Sequence, residues 1–399
     1  MKKRFAFGIK TFVTVISILF TLSIVITTPG MAFHRTSPVA MSPDDALSGT
    51  SIAGLPTLEV QLSRQLSAHP TIWTARAGLS SVVLSDGSIV IMGGSLEQDV
   101  WSSTDQGATW TQINIAAPWG RRQYHTSVVL SDDSIILMGG ELYKDGVFTL
   151  VNDVWRSTDK GVSWTPMTTA APWNGRRHMT SVVLSDNSIV LMGGEDSRTA
   201  YDKHRNDVWR STDNGATWTM MTDNAEWGFR SMHSSVVLFG EDGDEDSIVL
   251  MGGIYQETLG GVEHISNQVW RSTDQGATWE EICASAPWSA RYLQANVVLS
   301  DGSIILIGGV TAKRDVWRST DFGQSWTLMT DAAEWGTRQE HSSVVLPDDS
   351  IVILGGKKLL DYSFITVNEV WRSTDYGATW TKMIAPVSDY TIFLPLILR

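Results

Sequence analysis

An eight-residue box written six times, four strand-like runs in each copy and turn formers between the runs predict an all-β protein. The architecture expected is a six-bladed β-propeller with four antiparallel strands per blade. The box is Ser-Thr-Asp-x-Gly-x-Thr/Ser-Trp, complete at 103–110, 157–164, 211–218, 272–279, 319–326 and 373–380. In the third copy the runs are Met179 to Leu184, Ser188 to Met192, Asp207 to Arg210 and Thr217 to Met221. The first two are rich in Val, Ile and Leu, as strands packed between neighbours should be. Asp186, Asn187, Gly193, Gly194 and the Asp213-to-Gly215 turn separate them. One such sheet cannot cover both its faces, whereas six around an axis cover one another.

The elements follow in order. Residues 1–32 have a basic head (Lys2, Lys3, Arg4), an apolar stretch from Phe12 to Ile26 and a small residue at Ala32, which reads as an export signal. An uncleaved anchor is the alternative. Residues 33–72 form a Ser-, Pro- and Thr-rich flexible leader, in which Leu55 to Leu66 is read either as an extra strand or as a segment packed under the propeller. The propeller occupies 73–383, with blades at about 73–117, 118–171, 172–225, 226–286, 287–333 and 334–383. Residues 384–399 are an apolar tail, read either as an added strand or as a segment for cell-envelope attachment.

Within the box, the Asp carboxylate can accept backbone N–H bonds and lock the turn, the Gly supplies a positive φ, and the Trp fills space between blades. Six equal copies point to a structural box, because an active site needs one asymmetric constellation. A net charge of −13 argues against nucleic acid and anionic membrane as partners. The single cysteine, Cys283, forms no internal disulfide and no metal motif, and it is expected to pack as a small apolar residue. The acidic insertion Glu241, Asp242, Asp244, Glu245 and Asp246 fits no EF-hand spacing and reads as a solvated loop. No cofactor and no metal site are expected.

The box resembles the Asp-box, or BNR, repeat of sialidases and related secreted propellers. The Gly-Gly run followed by Asn206, Asp207, Val208 and Trp209 also resembles the kelch repeat. The likeness covers Trp73 to Met383 and is specific for fold, since both families host many functions. For a sialidase it implies three arginines on a substrate carboxylate, a tyrosine nucleophile with a glutamate beside it, and an aspartate acid. The Arg-Ile-Pro motif of that family is absent here, and no Tyr is paired with a Glu by sequence. Copper oxidases on kelch propellers need a Cys–Tyr cross-link, and Cys283 sits in the wrong strand for one.

In such blades the loop after strand two and the entry into strand one share a face, with the boxes opposite. That loop is short in copies one and five and long in the others, at 141–152, 195–206, 254–267 and 357–368. Long loops on a rigid scaffold carry function. Every copy places an Arg at the strand-one entry: Arg76, Arg122, Arg176, Arg230, Arg291 and Arg338. A ring of guanidiniums at a channel mouth would grip anions, and kelch arginines at a similar position help hold acidic peptides. Structural pairing with Asp99, Asp153, Asp207, Asp315 or Glu369 is the competing expectation. Two and three residues on, the copies differ, giving Tyr124, His125, His178, His233 and His341 as further candidate ligand-binding residues. The Trp before each Arg reads as packing. The function expected is an exported, secreted or cell-surface, monomeric and non-catalytic binder of a glycan or an extracellular protein. A sialidase-like glycosidase and a structural envelope protein are the alternatives.

Overall fold

Every regular element among the described residues is a β-strand. The structure, a computed structural model, describes residues 72–196, 203–240, 245–310 and 313–383. The expected signal, leader and tail, together with Tyr201, Glu241, Asp242 and Asp244, lie outside them.

Five four-stranded antiparallel sheets and one seven-stranded sheet that contains the same four-strand run follow one another along the chain, one to a unit, with two three-stranded sheets beside them. The first is Ser80–Val83, Ile89–Met92, Val100–Ser103 and Thr111–Asn114, paired in that order. Burial falls from the second strand to the fourth: Ile89–Met92 is covered on both faces, and Thr111–Asn114 is exposed or half-buried. This explains why the second runs are uninterrupted Ile, Val, Leu and Met while the fourth are rich in Thr. The first strands of the later units are Thr126–Val129, Thr180–Val183, Ser234–Leu238, Ala295–Val298 and Ser342–Val345. Each packs against the next, and the last packs against Ser80–Val83.

Apolar clusters lie between successive units. Val82, Val90 and Met92 of the first meet Trp119, Ile135 and Leu137 of the second. The sixth unit, completed by Thr381–Met383, closes on the first through Val344, Val352 and Leu354 against Trp73, Ile89 and Ile91. Each Trp preceding a ring Arg stands edge-on to the box Trp of its own unit, at 6.1 Å for Trp173 and Trp218. Cys283 packs at the edge of the cluster between the fourth and fifth units.

The turns between third and fourth strands share one bonding scheme. Asp213 accepts from Thr217 N (2.8 Å), Thr217 Oγ1 (2.6 Å) and Ser211 Oγ (2.9 Å), and Ser211 Oγ accepts from Gly215 N (2.9 Å). Gly215 has φ +87°, and a Cβ there would lie 2.6 Å from Val154 Cγ1 of the preceding unit. Glycine is therefore required twice over, for the backbone and for the close approach.

On the opposite end, three β-ribbons rise from the entries to the first strands. Arg122–Gln123 pairs with Glu141–Lys144, which turns back as Val147–Leu150. Phe229–Ser231 pairs with Ile254–Gln256 and then His264–Ile265, and Arg338–Gln339 pairs with Lys357–Leu360 and then Ser363–Thr366. In the third unit the same insertion lengthens strands two and three to Ile189–Glu195 and His204–Ser211.

Candidate functional site

The six ring arginines belong to the wall. Each is at most 1% exposed. Arg176 shows the pattern: its guanidinium donates to Gly193 O (2.9 Å) and to both oxygens of Asp207 (2.6 and 2.7 Å). It thus ties the entry of strand one to the end of strand two and the start of strand three. Arg76, Arg122 and Arg291 pair likewise with Asp99, Asp153 and Asp315, and Arg338 pairs with Glu369. Arg230 instead donates to Gln268 Oε1 at 2.7 Å. The expectation of an open cationic ring is corrected here: these groups are buried, and every guanidinium nitrogen except Arg338 Nε is hydrogen-bonded within the fold.

Two residues beyond each Arg, the backbone closes a ring around the axis. Tyr124 N donates to Gly78 O, His178 N to Tyr124 O, Met232 N to His178 O, Leu293 N to Met232 O, Glu340 N to Leu293 O and Gly78 N to Glu340 O, over 2.8–3.3 Å. All six residues have φ between +55° and +63°. That left-handed conformation is costly for the five that are not glycine, and it is held by the surrounding hydrogen bonds.

This ring and the one below it line an axial cavity of about 170 Å³. The upper ring comprises Gly78, Tyr124, His178, Met232, Leu293 and Glu340; the lower comprises Leu79, His125, Met179, His233, Gln294 and His341. The structure therefore brings together Tyr124, His125, His178, His233 and His341. The lower ring is buried and the upper half-buried, so the cavity opens towards the ribbons. Burial, with Arg122, Arg230 and Arg338 adjacent, pushes His125, His233 and His341 down to about 3, and their rings are neutral at ordinary pH.

The mouth is asymmetric. Tyr124 lies over Gly78 and donates to Glu340 Oε2 at 3.0 Å, while Lys357 donates to Glu340 Oε1 at 2.8 Å. His178 packs against Tyr124 with ring centroids 4.2 Å apart and the ring planes tilted by 48°. Burial and the Glu340 carboxylate raise the Tyr124 hydroxyl well above its usual pKa. Behind them Arg177 bridges Glu141 (3.0 Å) and Glu195 (3.1 Å). Burial alone would raise Glu195, but His178, Arg177 and Lys203 outweigh it and hold the carboxyl at about 2. Further out, buried His204 meets Ser231 Oγ (2.9 Å) and Glu263 Oε1 (3.2 Å).

Sequence reasoning named Tyr124 and the histidines but missed Glu141, Glu195, Arg177 and Lys357 as participants. A signal existed for three of these: Glu141, Glu195 and Lys357 each directly follow a Gly-Gly pair, the point where the copies cease to agree.

A family profile described as Attractin/LZTR1 beta-propeller matches residues 94–321, more than half of the chain. A protein named Xyloglucanase from Paenibacillus sp is 30% identical over 165 residues, 38% of this chain. The chain spans 15% of that protein's length. A solved structure titled Structure of YjhT superposes with a TM-score of 0.62 at 14% identity, covering 78% of this chain and 99% of that one, a likeness of fold.

Proposed function

The chain belongs to the Attractin/LZTR1 β-propeller family, a kelch-type propeller, and from that premise we propose that it is an exported glycan-binding protein of six blades with Asp-box turns. Residues 1–32 act as the export signal, 33–72 as leader and 384–399 as a tail for the cell envelope. The propeller works as a monomer outside the cytoplasm and binds at the ribbon-bearing face, without catalysis. One observation carries the reading: an aromatic and polar mouth, Tyr124, His178 and Glu340, opens on an axial cavity at the face from which the three ribbons rise. The distant relation to a protein named Xyloglucanase favours a polysaccharide over a protein as the ligand.

The Tyr124–Glu340 contact gives the sialidase-like reading its one specific support, a tyrosine with a carboxylate at 3.0 Å. Two features weigh against it. The hydroxyl is pushed up rather than activated, and the arginines that would clamp a substrate carboxylate are locked in the wall. The test is affinity electrophoresis of the full chain in gels containing xyloglucan, other neutral polysaccharides or a sialylated glycoprotein, with assay for released sugar. Retardation by a neutral polysaccharide without release is expected. Release of sialic acid would replace the binding reading with the hydrolase one, and no retardation by any glycan would reject both.

A further inference from the structure

We infer that the propeller is built to open in mild acid: three alternate seams between its units are each closed by a buried histidine, and taking up protons there loosens the closure around the axis. This is a property of the seams themselves and holds whatever the mouth binds.

His125, His233 and His341 occupy the same place in units two, four and six, and each is at most 8% exposed. Each imidazole edge meets the first glycine of the preceding unit's Gly-Gly pair. A Cβ on Gly93 would lie 3.0 Å from His125 Cε1, one on Gly193 2.9 Å from His233 Cε1 and one on Gly308 3.2 Å from His341 Cε1. Each imidazole also packs on a tryptophan of its own unit, with ring centroids 6.2, 5.8 and 6.3 Å apart for Trp119, Trp227 and Trp335. The three side chains therefore fill the seams between units one and two, three and four, and five and six.

The surroundings suit a neutral imidazole and not a charged one. His125 Nε2 contacts Ser80 Oγ at 2.8 Å and His233 Nε2 contacts Thr180 Oγ1 at 3.1 Å, each hydroxyl standing on the first strand of the preceding unit. The preceding unit has Ala295 at that place for His341 and supplies no hydroxyl. Nδ1 of all three, and Nε2 of His341, are buried without a partner. A neutral imidazole can leave one nitrogen bare, whereas an imidazolium carries two N–H donors that both need acceptors. The charged groups facing the imidazoles are Arg122 and Asp153 at His125, Arg230 and His204 at His233, and Arg338 at His341. Asp153 is already held by Arg122, so no free carboxylate meets the new charge.

Burial first, and the adjacent arginine second, hold the three groups down at about 3, against 6.5 for an unperturbed histidine. The opened chain takes up protons from about pH 6.5 downward and the closed seams do so only near 3, so closure weakens as pH falls through that interval. Each pH unit costs the closed form up to about tenfold per histidine, and up to about a thousandfold for three. Ordinary carboxylates titrate below about pH 4.5, so the histidines dominate the upper part of the window. Tyr124, Met232 and Glu340, the residues just before the three histidines, are members of the backbone ring at the mouth. Loosened seams therefore undo the ring that shapes the mouth.

The repeat supplies the replacements. Met179 and Gln294 fill the equivalent slots of units three and five, against Gly139 and Gly252. The test is urea unfolding of the full chain between pH 7.5 and 4.5, for the wild type, for a triple variant carrying His125→Gln, His233→Gln and His341→Met, and for His341→Met alone. His204, also pushed down by burial, stays in every chain. The wild-type midpoint should fall steeply below pH 6.5, and the triple variant should lose most of that slope. His341→Met, which removes no side-chain hydrogen bond, should lose about a third of it. Hydrogen exchange at pH 5 should show residues 120–126, 228–234 and 336–342 losing protection before the box turns do. A wild-type midpoint that stays flat to pH 4.5 overturns the inference. So does a slope unchanged in the triple variant or, where that chain does not fold, unchanged in His341→Met. Protection lost first at the box turns overturns the seams as the place of opening.

Discussion

Gln268→Asp should stabilise the protein. In four units an Asp accepts both from the buried Arg and from the Trp two residues on: Trp101, Trp155, Trp209 and Trp317 each donate Nε1 at 2.7 Å to Asp99, Asp153, Asp207 and Asp315. Unit four has Gln268 there. Its single carbonyl oxygen accepts from Arg230, and Trp270 Nε1 is left without a partner. Burial pushes Arg230 down to about 9, with only Tyr255 and Glu281 opposing. A carboxylate would turn a hydrogen bond from the guanidinium to a neutral acceptor into an ion pair and would satisfy the indole. Each change is worth about 1 kcal/mol, less the cost of burying the new charge, for a net gain of about 1–2 kcal/mol.

Urea unfolding at pH 7 reads that gain directly. Equal or lower stability of Gln268→Asp at pH 7 would refute this account of the Arg230 contact.

Two further predictions test the boxes and the mouth. Asp213→Ala removes three hydrogen bonds from one turn and should cost about 1–3 kcal/mol in chemical denaturation while leaving glycan binding unchanged; an unmoved midpoint removes the structural account of the box. Glu195 is held at about 2, so the stability it contributes is full above the unfolded glutamate range and is lost as pH falls from about 4.5 towards 2. Glu195→Gln should flatten the acid limb of the unfolding midpoint over that interval, and an identical limb would show that the Arg177 bridge does not stabilise the fold.

What the sequence made legible was whatever the repeat enforces. The box, the buried second strands and the Trp before each Arg recur in every copy, so the physical demand on each position could be read six times over. The ring arginines show the limit of that reading. Arg176 and Asp207 are 31 residues apart; the Arg recurs in every copy and an acid in five of the six, and nothing in the pattern says whether the guanidinium turns outward to a ligand or inward to its acid. The left-handed ring was less visible still. Of Gly78, Tyr124, His178, Met232, Leu293 and Glu340, only the first advertises a positive φ by its residue type. Glu141 and Glu195 were hidden differently, because their partner Arg177 sits beside a ring Arg and reads as its duplicate.

The backbone ring explains why the axis can vary where the rest of the repeat cannot. Its six hydrogen bonds use only N–H and C=O groups, so any side chain that tolerates the conformation fits, and the side chains at the mouth are free to serve a ligand. Leu293→Gly puts this to the test. Relief of a left-handed leucine is worth about 1–2 kcal/mol, set against about 1 kcal/mol of chain entropy for the glycine and about 1 kcal/mol for the apolar surface of a half-buried leucine. The terms nearly cancel, so the variant should unfold within about 1 kcal/mol of wild type, where truncation of a fully buried leucine costs about 2–5 kcal/mol. A loss in that larger range would mean that Leu293 is held for packing, and that the mouth is part of the core rather than a surface kept open for a ligand.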